Sequence, residues 1–187
     1  MDKIVGHWPN CYEICLKHKK MTHAGFEQLA SGRIKFLVLD VDGVMTDGGL
    51  YYTSTGDQFK KFNVKDGMAI KEARKAGLRV AFLSAGSSER IVLDRAKTLD
   101  VSLVYVGQEP KLNILNKWCE ELGFDLSEVA YIGDDLNDIP VMDAVGYSAC
   151  PADASHLVKD KAYVVLRRNG GDACVREFVE EHLIEEV

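Results

Sequence analysis

No stretch of this sequence stays apolar for anything near the roughly 20 residues that a bilayer-spanning helix needs. Its start, Met1-Asp-Lys-Ile-Val-Gly-His-Trp-Pro9, also lacks the apolar core of a signal peptide, so a cytoplasmic protein with no membrane partner is expected. Positive charge is scarce: 23 lysines and arginines face 29 aspartates and glutamates. The net charge of -6 gives no whole-molecule attraction to nucleic acid or to an anionic membrane, and a phosphorylated ligand would have to be held by local charge. A disulfide framework is missing too. The five cysteines (Cys11, Cys15, Cys119, Cys150, Cys174) are odd in number and scattered, three of them inside apolar periodic segments, as reduced core thiols would be. Internal repeats and low-complexity linkers are absent, so nothing requires a second domain. What is present, 187 residues with 47% hydrophobic and 28% charged, suffices for one globular domain with a full core.

Residues 1–33 differ in character from the rest and read as a peripheral N-terminal extension. Cys11, Cys15 and His18 lie close together there, but without the paired spacing of zinc modules. From Ile34 the pattern is regular. Strand-like runs at Ile34–Asp40, Leu78–Ser84, Leu103–Val106, Val129–Ile132 and Ala162–Leu166 alternate with helix-period segments, which predicts an α/β fold with a doubly wound, Rossmann-like parallel sheet over residues 34–187. Asp66 can cap a helix ending at Gly77, Ser87 or Ser88 one running to Leu99, and Pro110 opens one that stops at Gly123. A last helix is expected from about Asp172 to Leu183, after the Gly170-Gly171 turn. Residues 49–63 break the alternation: two β-prone runs around Ser54-Thr-Gly-Asp57 read as a β-hairpin inserted after the first strand. Such a hairpin, carrying Tyr51, Tyr52, Phe59 and Phe62, cannot be stable alone and must pack on its own domain or on another subunit.

The first strand ends in Asp40-Val41-Asp42-Gly43, which puts two carboxylates at the carboxyl edge of the sheet, where open α/β sheets bind ligands. An ordinary Asp-Gly turn would explain these residues equally well if they stood alone. Further candidates fall at the same edge: Ser84 closing the second strand, Lys111 opening a helix, and Asp134, Asp135 and Asp138 after the Val129–Ile132 strand. Separately these could be a helix cap, a solvated first-turn charge and a capped loop. Together, five acids at the ends of two buried strands would repel one another unless a cation lay between them. For an all-oxygen set that cation is Mg²⁺. Asp40 can then attack the phosphorus of a phosphate monoester to form an aspartyl phosphate, while Asp42 protonates the leaving alkoxide and later deprotonates the hydrolytic water. Ser84 and Lys111 would hold the transferring phosphoryl oxygens.

These residues resemble, in order and as a set, the four motifs of the haloacid dehalogenase superfamily: Asp40-Val-Asp42, Ser84, Lys111 and Gly133-Asp-Asp-x-x-Asp138. The resemblance implies a fold of that type. It implies Asp40 as nucleophile, Asp42 as acid/base and metal ligand through its carbonyl, Asp134 as the other metal carboxylate, and Asp135 and Asp138 in support. With Phe62-Asn-Val-Lys-Asp-Gly67 and the Gly170-Gly171…Arg176-Glu177 tail, the chain from Ile34 onward is similar to the bacterial 3-deoxy-D-manno-octulosonate 8-phosphate phosphatases. That similarity implies a homotetramer joined through its hairpins, and a sugar-acid phosphate met by Lys65, Asp66, Arg90 and Arg176. Two positions depart from the pattern: Ser84-Ala85-Gly86 is one residue longer than usual before its charged residue, and Ala173 stands where a third glycine is common. Three alternatives stay open: a phosphatase for a nine-carbon sialic-acid-type 9-phosphate, a non-catalytic tetramerising module, and a phosphoaccepting receiver domain. The last is disfavoured because the Asp40-x-Asp42 pair sits on the first strand.

Overall fold

Phe36–Leu39 (β1) carries four large apolar side chains and no polar alternation, the signature of a strand covered on both faces, and all four are fully buried. Phe36 and Val38 pack on one face, against Leu83, Leu115 and Tyr131, while Leu37 and Leu39 pack on the other, with Ile70, Phe82 and Phe178. The structure is a computed structural model that describes residues 34–184; Cys11, Cys15 and His18 and the proposed extension lie outside the described residues. Beside β1 run Arg79–Ser84 (β4), Leu103–Val106 (β5), Val129–Ile132 (β6), Tyr147–Cys150 (β7) and Val164–Val165 (β8). They form one parallel sheet of order β5-β4-β1-β6-β7-β8, with Leu39 opposite Phe82 on one side and Ile132 on the other. The order reverses around β1, so the crevice of a doubly wound sheet opens beyond its carboxyl end.

Helices cover both faces. Val64–Lys75 (α1), Glu89–Thr98 (α2) and Cys174–His182 (α6) bury Ile70, Val92 and Phe178 against one face; Lys111–Leu122 (α3), Ile139–Ala144 (α4) and His156–Lys161 (α5) bury Leu115, Val141 and Val158 against the other. Cys119, Cys150 and Cys174 are free and buried, as expected of core thiols. The hairpin also forms, from Tyr51–Tyr52 (β2) and Gln58–Phe59 (β3), with Tyr51 stacked on Phe59 at a ring separation of 5.2 Å.

Three local expectations change. β7 and the helices α4 and α5 are additions; Tyr-Ser-Ala-Cys has a weak strand signature, and two six-residue helices are too short to show a period. The cap of α1 is Asn63, whose Oδ1 accepts from the Lys65 amide at 2.9 Å, and Asp66 lies one turn in. The last helix starts at Cys174 because Ala173 adopts φ 67°, the left-handed conformation a glycine would take there more readily. The chain therefore does follow the path that the missing glycine would favour, with a strained alanine in its place.

Candidate active site

Every motif residue leaves the sheet at its carboxyl edge. Asp40 follows β1, Ser84 ends β4, Lys111 is the first residue of α3, and Asp134 follows β6. With Asp42, Gly43, Gly86 and Asn137 they line a cavity of about 310 Å³. A larger hollow of about 500 Å³ lies around Lys35, Arg74 and Phe124 and contains none of the predicted site residues, so size does not mark the chemistry here.

The centre is a buried chain of charges. Lys111 Nζ donates to Asp138 Oδ1 at 2.6 Å and lies 2.9 Å from Asp40 Oδ1. Burial alone would pull the Lys111 ammonium down, but Asp40 and Asp138 outweigh it and hold it above its ordinary value. Asp138 is saturated: Oδ1 also accepts from the Tyr131 hydroxyl, and Oδ2 accepts from the amides of Asp134 and Asp135 at 2.9 and 3.1 Å. Asp135 caps the short turn Leu136–Asp138. Asp138 is thus fully used inside the fold, whereas Asp135 is exposed at the cavity rim.

Asp40, Asp134 and Asp138 each offer an oxygen within 4.8 Å of the others, yet Asp138 has no lone pair to spare for a cation. That leaves Asp40 and Asp134. Burial first, then Asp138, pushes Asp40 well above the usual carboxylate range even with Lys111 beside it. The same two causes bring Asp134 up to about 7, against the pull of its hydrogen bond with Asp40. A buried and a half-buried acid this close, left short of positive charge by the one lysine at hand, fit a hard divalent cation.

Glycines bring the motifs together. Gly43 has φ 85°, and a Cβ there would lie 2.0 Å from Asp134 Oδ2; one at Gly86 would lie 2.7 Å from Asp42 Oδ2. Ser84 is buried, and its Oγ accepts from the Gly86 amide at 3.0 Å, so the lengthened Ser84-Ala85-Gly86 segment still wraps the cavity. A Cβ at Gly170 would fall 1.8 Å from the Gly43 carbonyl, and the Gly171 amide donates to Val44 O. The tail therefore backs the turn that follows Asp42.

Of the residues expected to meet the sugar, none lines this cavity. Lys65 is exposed, Arg90 is 95% exposed with Asp94 its nearest acid, and Arg176 pairs with Glu180. Asp66 is a correction. It is only 1% exposed and accepts from the Arg176 amide, capping α6 from beneath. Burial, against the amides of Arg176, Ala173 and Val175, raises it from the ordinary 3.8 to about 6. A raised acid makes its stability contribution below its unfolded value and loses it as pH rises through the folded one, here across about 4 to 6. Asp66→Asn should flatten this loss, so that urea unfolding at pH 5 and pH 8 shows the variant gaining about 1–1.5 kcal/mol on the wild type at the higher pH. Parallel pH profiles would refute the assignment.

Two residues of the site escaped the sequence reading. Tyr131 needed a partner for its hydroxyl, as a tyrosine in a buried strand does, but which acid supplies it depends on how the 134–138 turn folds back. Lys60 pairs with Asp42, and choosing it over Lys61, which pairs with Asp47 instead, requires the register of the hairpin.

Comparison with known proteins points the same way. The haloacid dehalogenase-like hydrolase family matches residues 103–178. The 3-deoxy-D-manno-octulosonate 8-phosphate phosphatase of Escherichia coli is 42% identical over 144 residues, 77% of this chain and 76% of that protein. The chain belongs to the haloacid dehalogenase-like hydrolases. Among solved structures, this hydrolase resembles the 3-deoxy-D-manno-octulosonate 8-phosphate phosphatase of Moraxella catarrhalis in complex with magnesium, phosphate and the sugar acid. Identity is 31%, with a TM-score of 0.82 and coverage of 87% of this chain and 92% of that one. The cobalt-bound form of the Haemophilus influenzae phosphatase is 38% identical with a TM-score of 0.76, over 81% and 88% of the two chains.

Proposed function

We propose that this hydrolase is a Mg²⁺-dependent phosphatase that converts 3-deoxy-D-manno-octulosonate 8-phosphate to the free sugar acid and phosphate. The observation that carries the reading is the meeting of Asp40, Lys111 and Asp134 at one sheet edge, in a chain 42% identical to a phosphatase of that substrate. Asp40 and Asp134, with the Asp42 carbonyl, would hold the cation, which neutralises charge on the transferring phosphoryl group. An oxygen of Asp40 bonds to phosphorus as the bond from phosphorus to the sugar oxygen breaks. Asp42 hands its proton to that departing oxygen, a step worth about 10²–10⁴-fold. Asp42 then takes a proton from the water that attacks phosphorus and frees Asp40 as a carboxylate. Lys111 and Ser84 keep the phosphoryl oxygens in place throughout, since this chemistry depends on positioning and charge more than on covalent work.

Turnover of eight- and nine-carbon sugar-acid phosphates, with Mg²⁺ and with excess chelator, tests the reading. Fast hydrolysis of the eight-carbon ester that stops on chelation is expected; preference for a nine-carbon 9-phosphate would move the substrate, and slow, flat rates would favour a non-catalytic assembly module. Binding can be followed without turnover: Mg²⁺ at about 100 times its Kd should stabilise the wild type by about 2.7 kcal/mol, and Asp134→Asn should lose that gain.

Among the described residues no helix is long and apolar enough to cross a membrane. A cytoplasmic location is part of the proposal, as is a homotetramer joined through the hairpin. Leu50, Tyr52, Phe59, Val64 and Met68 are exposed around the hairpin and the start of α1, an apolar surface that a second copy would cover. Sugar specificity is then proposed to come from the neighbouring copy. Replacing Tyr51 and Phe59 together by serine should lower the mass measured by light scattering at micromolar concentration, and an unchanged mass would count against the hairpin.

A further inference from the structure

The Asp42 carboxylate has two unlike oxygens. Oδ1 accepts from the ammonium of Lys60, and Oδ2 faces the phosphate cavity, close enough that a Cβ at Gly86 would sit 2.7 Å away. Lys60 keeps only 4% of its side chain exposed, against 32% for Asp42, although it belongs to an otherwise exposed hairpin. An ammonium so nearly covered needs a fixed partner to offset its desolvation, and Asp42 is that partner. The neighbouring strand is tied down as well: Gln58 Oε1 accepts from Ser88 Oγ at 2.9 Å, next to the loop that carries Ser84 and Gly86. Between Gln58 and Lys60, Phe59 turns outward and stacks on Tyr51.

We propose that Lys60 is a positioning residue for the acid/base step: it anchors Asp42 Oδ1 so that Oδ2 is presented to the leaving oxygen, and through it the hairpin sets the geometry of proton transfer. The inference rests on the phosphatase reading above. In the step it serves, the bond from phosphorus to the sugar oxygen breaks with its electron pair going to that oxygen, which takes the proton from Asp42 Oδ2; Lys60 neither gains nor loses a proton. A misplaced carboxyl must slow esters that need this proton more than those that do not, because an error of about 1 Å in such a group can cost about 10²-fold.

The test compares two substrates in Mg²⁺: the sugar 8-phosphate, which leaves as an alkoxide, and a nitrophenyl phosphate, whose phenolate leaves without a proton. Lys60→Met, which keeps the stem and removes the ammonium, should lower kcat for the alkyl ester by about 10–100-fold, several times more than for the aryl ester, with KM changed less than kcat. Lys60→Arg should recover part of the loss. Asp42→Asn should show the same leaving-group bias, and adding Lys60→Met to it should cost little more. Equal losses on both esters would reduce Lys60 to a structural prop and overturn the proposal; so would full additivity of the two substitutions. A wild-type enzyme inactive on both esters would instead overturn the phosphatase reading. Far-UV circular dichroism of each variant separates these outcomes from failure to fold.

Discussion

Asparagine at Asp40 is expected to lower kcat by about 10⁴-fold or more while the protein stays folded. The two halves of that result have different causes. The loss follows from chemistry: an amide cannot form the acyl phosphate, and every later step needs that bond. Folding survives because the ionised carboxylate is already a burden on the structure. Burial and Asp138 push Asp40 toward its neutral form, and an asparagine has the shape of that form. Lys111 retains Asp138 at 2.6 Å and is not orphaned. Stability by urea titration should therefore be unchanged or higher without Mg²⁺. A variant that turns over at the wild-type rate would remove Asp40 from the nucleophilic role; an unfolded one would show that its charge supports the fold.

Methionine at Lys111 should do the opposite and harm both. This ammonium is nearly enclosed and joins Asp40 to Asp138, so its removal leaves two buried carboxylates without their cation, a loss of about 3–5 kcal/mol. The penalty should depend on pH. Asp40, already raised by burial and Asp138, loses the lysine that lowers it, so in the variant the native state binds its proton more tightly still, and stability falls as pH rises. Urea unfolding at pH 5 and pH 8 should show a larger deficit at pH 8. Adding Asp138→Asn should restore part of the stability and none of the activity. A deficit under about 1 kcal/mol, equal at both pH values, would mean that solvent already screens the pair.

These two residues also show how far the sequence carries. Asp40 is legible only in company: an apolar strand ending in Asp-x-Asp-Gly could close in an ordinary turn, and it is Ser84, Lys111 and Asp134 at the same predicted edge that single it out. Lys111 and Asp134 were legible for a related reason: each sits at the junction of a clear strand and helix, and parallel strands send all such junctions to one side. Asp66 was misread. By itself it reads as a helix cap, and the family resemblance implies a sugar contact, but which way a first-turn side chain points depends on what packs there, and here it is α6, from 110 residues further along. β7 was overlooked because Tyr-Ser-Ala-Cys becomes a strand only between β6 and β8.

What the sequence determined by itself is the chemistry available and the edge at which it gathers, because both follow from residue type and from the alternation of strand and helix along the chain. What the tertiary structure decided is which charge answers which. Asp138 is filled by Lys111, Tyr131 and two amides, so that Asp40 and Asp134 are the acids of this group with oxygens to spare, and Lys60 rather than Lys61 reaches Asp42. The physical reason is range: propensity acts over a few residues, whereas the ion-pair partners that Lys60 and Lys111 meet within 3 Å come from segments 18 to 71 positions apart.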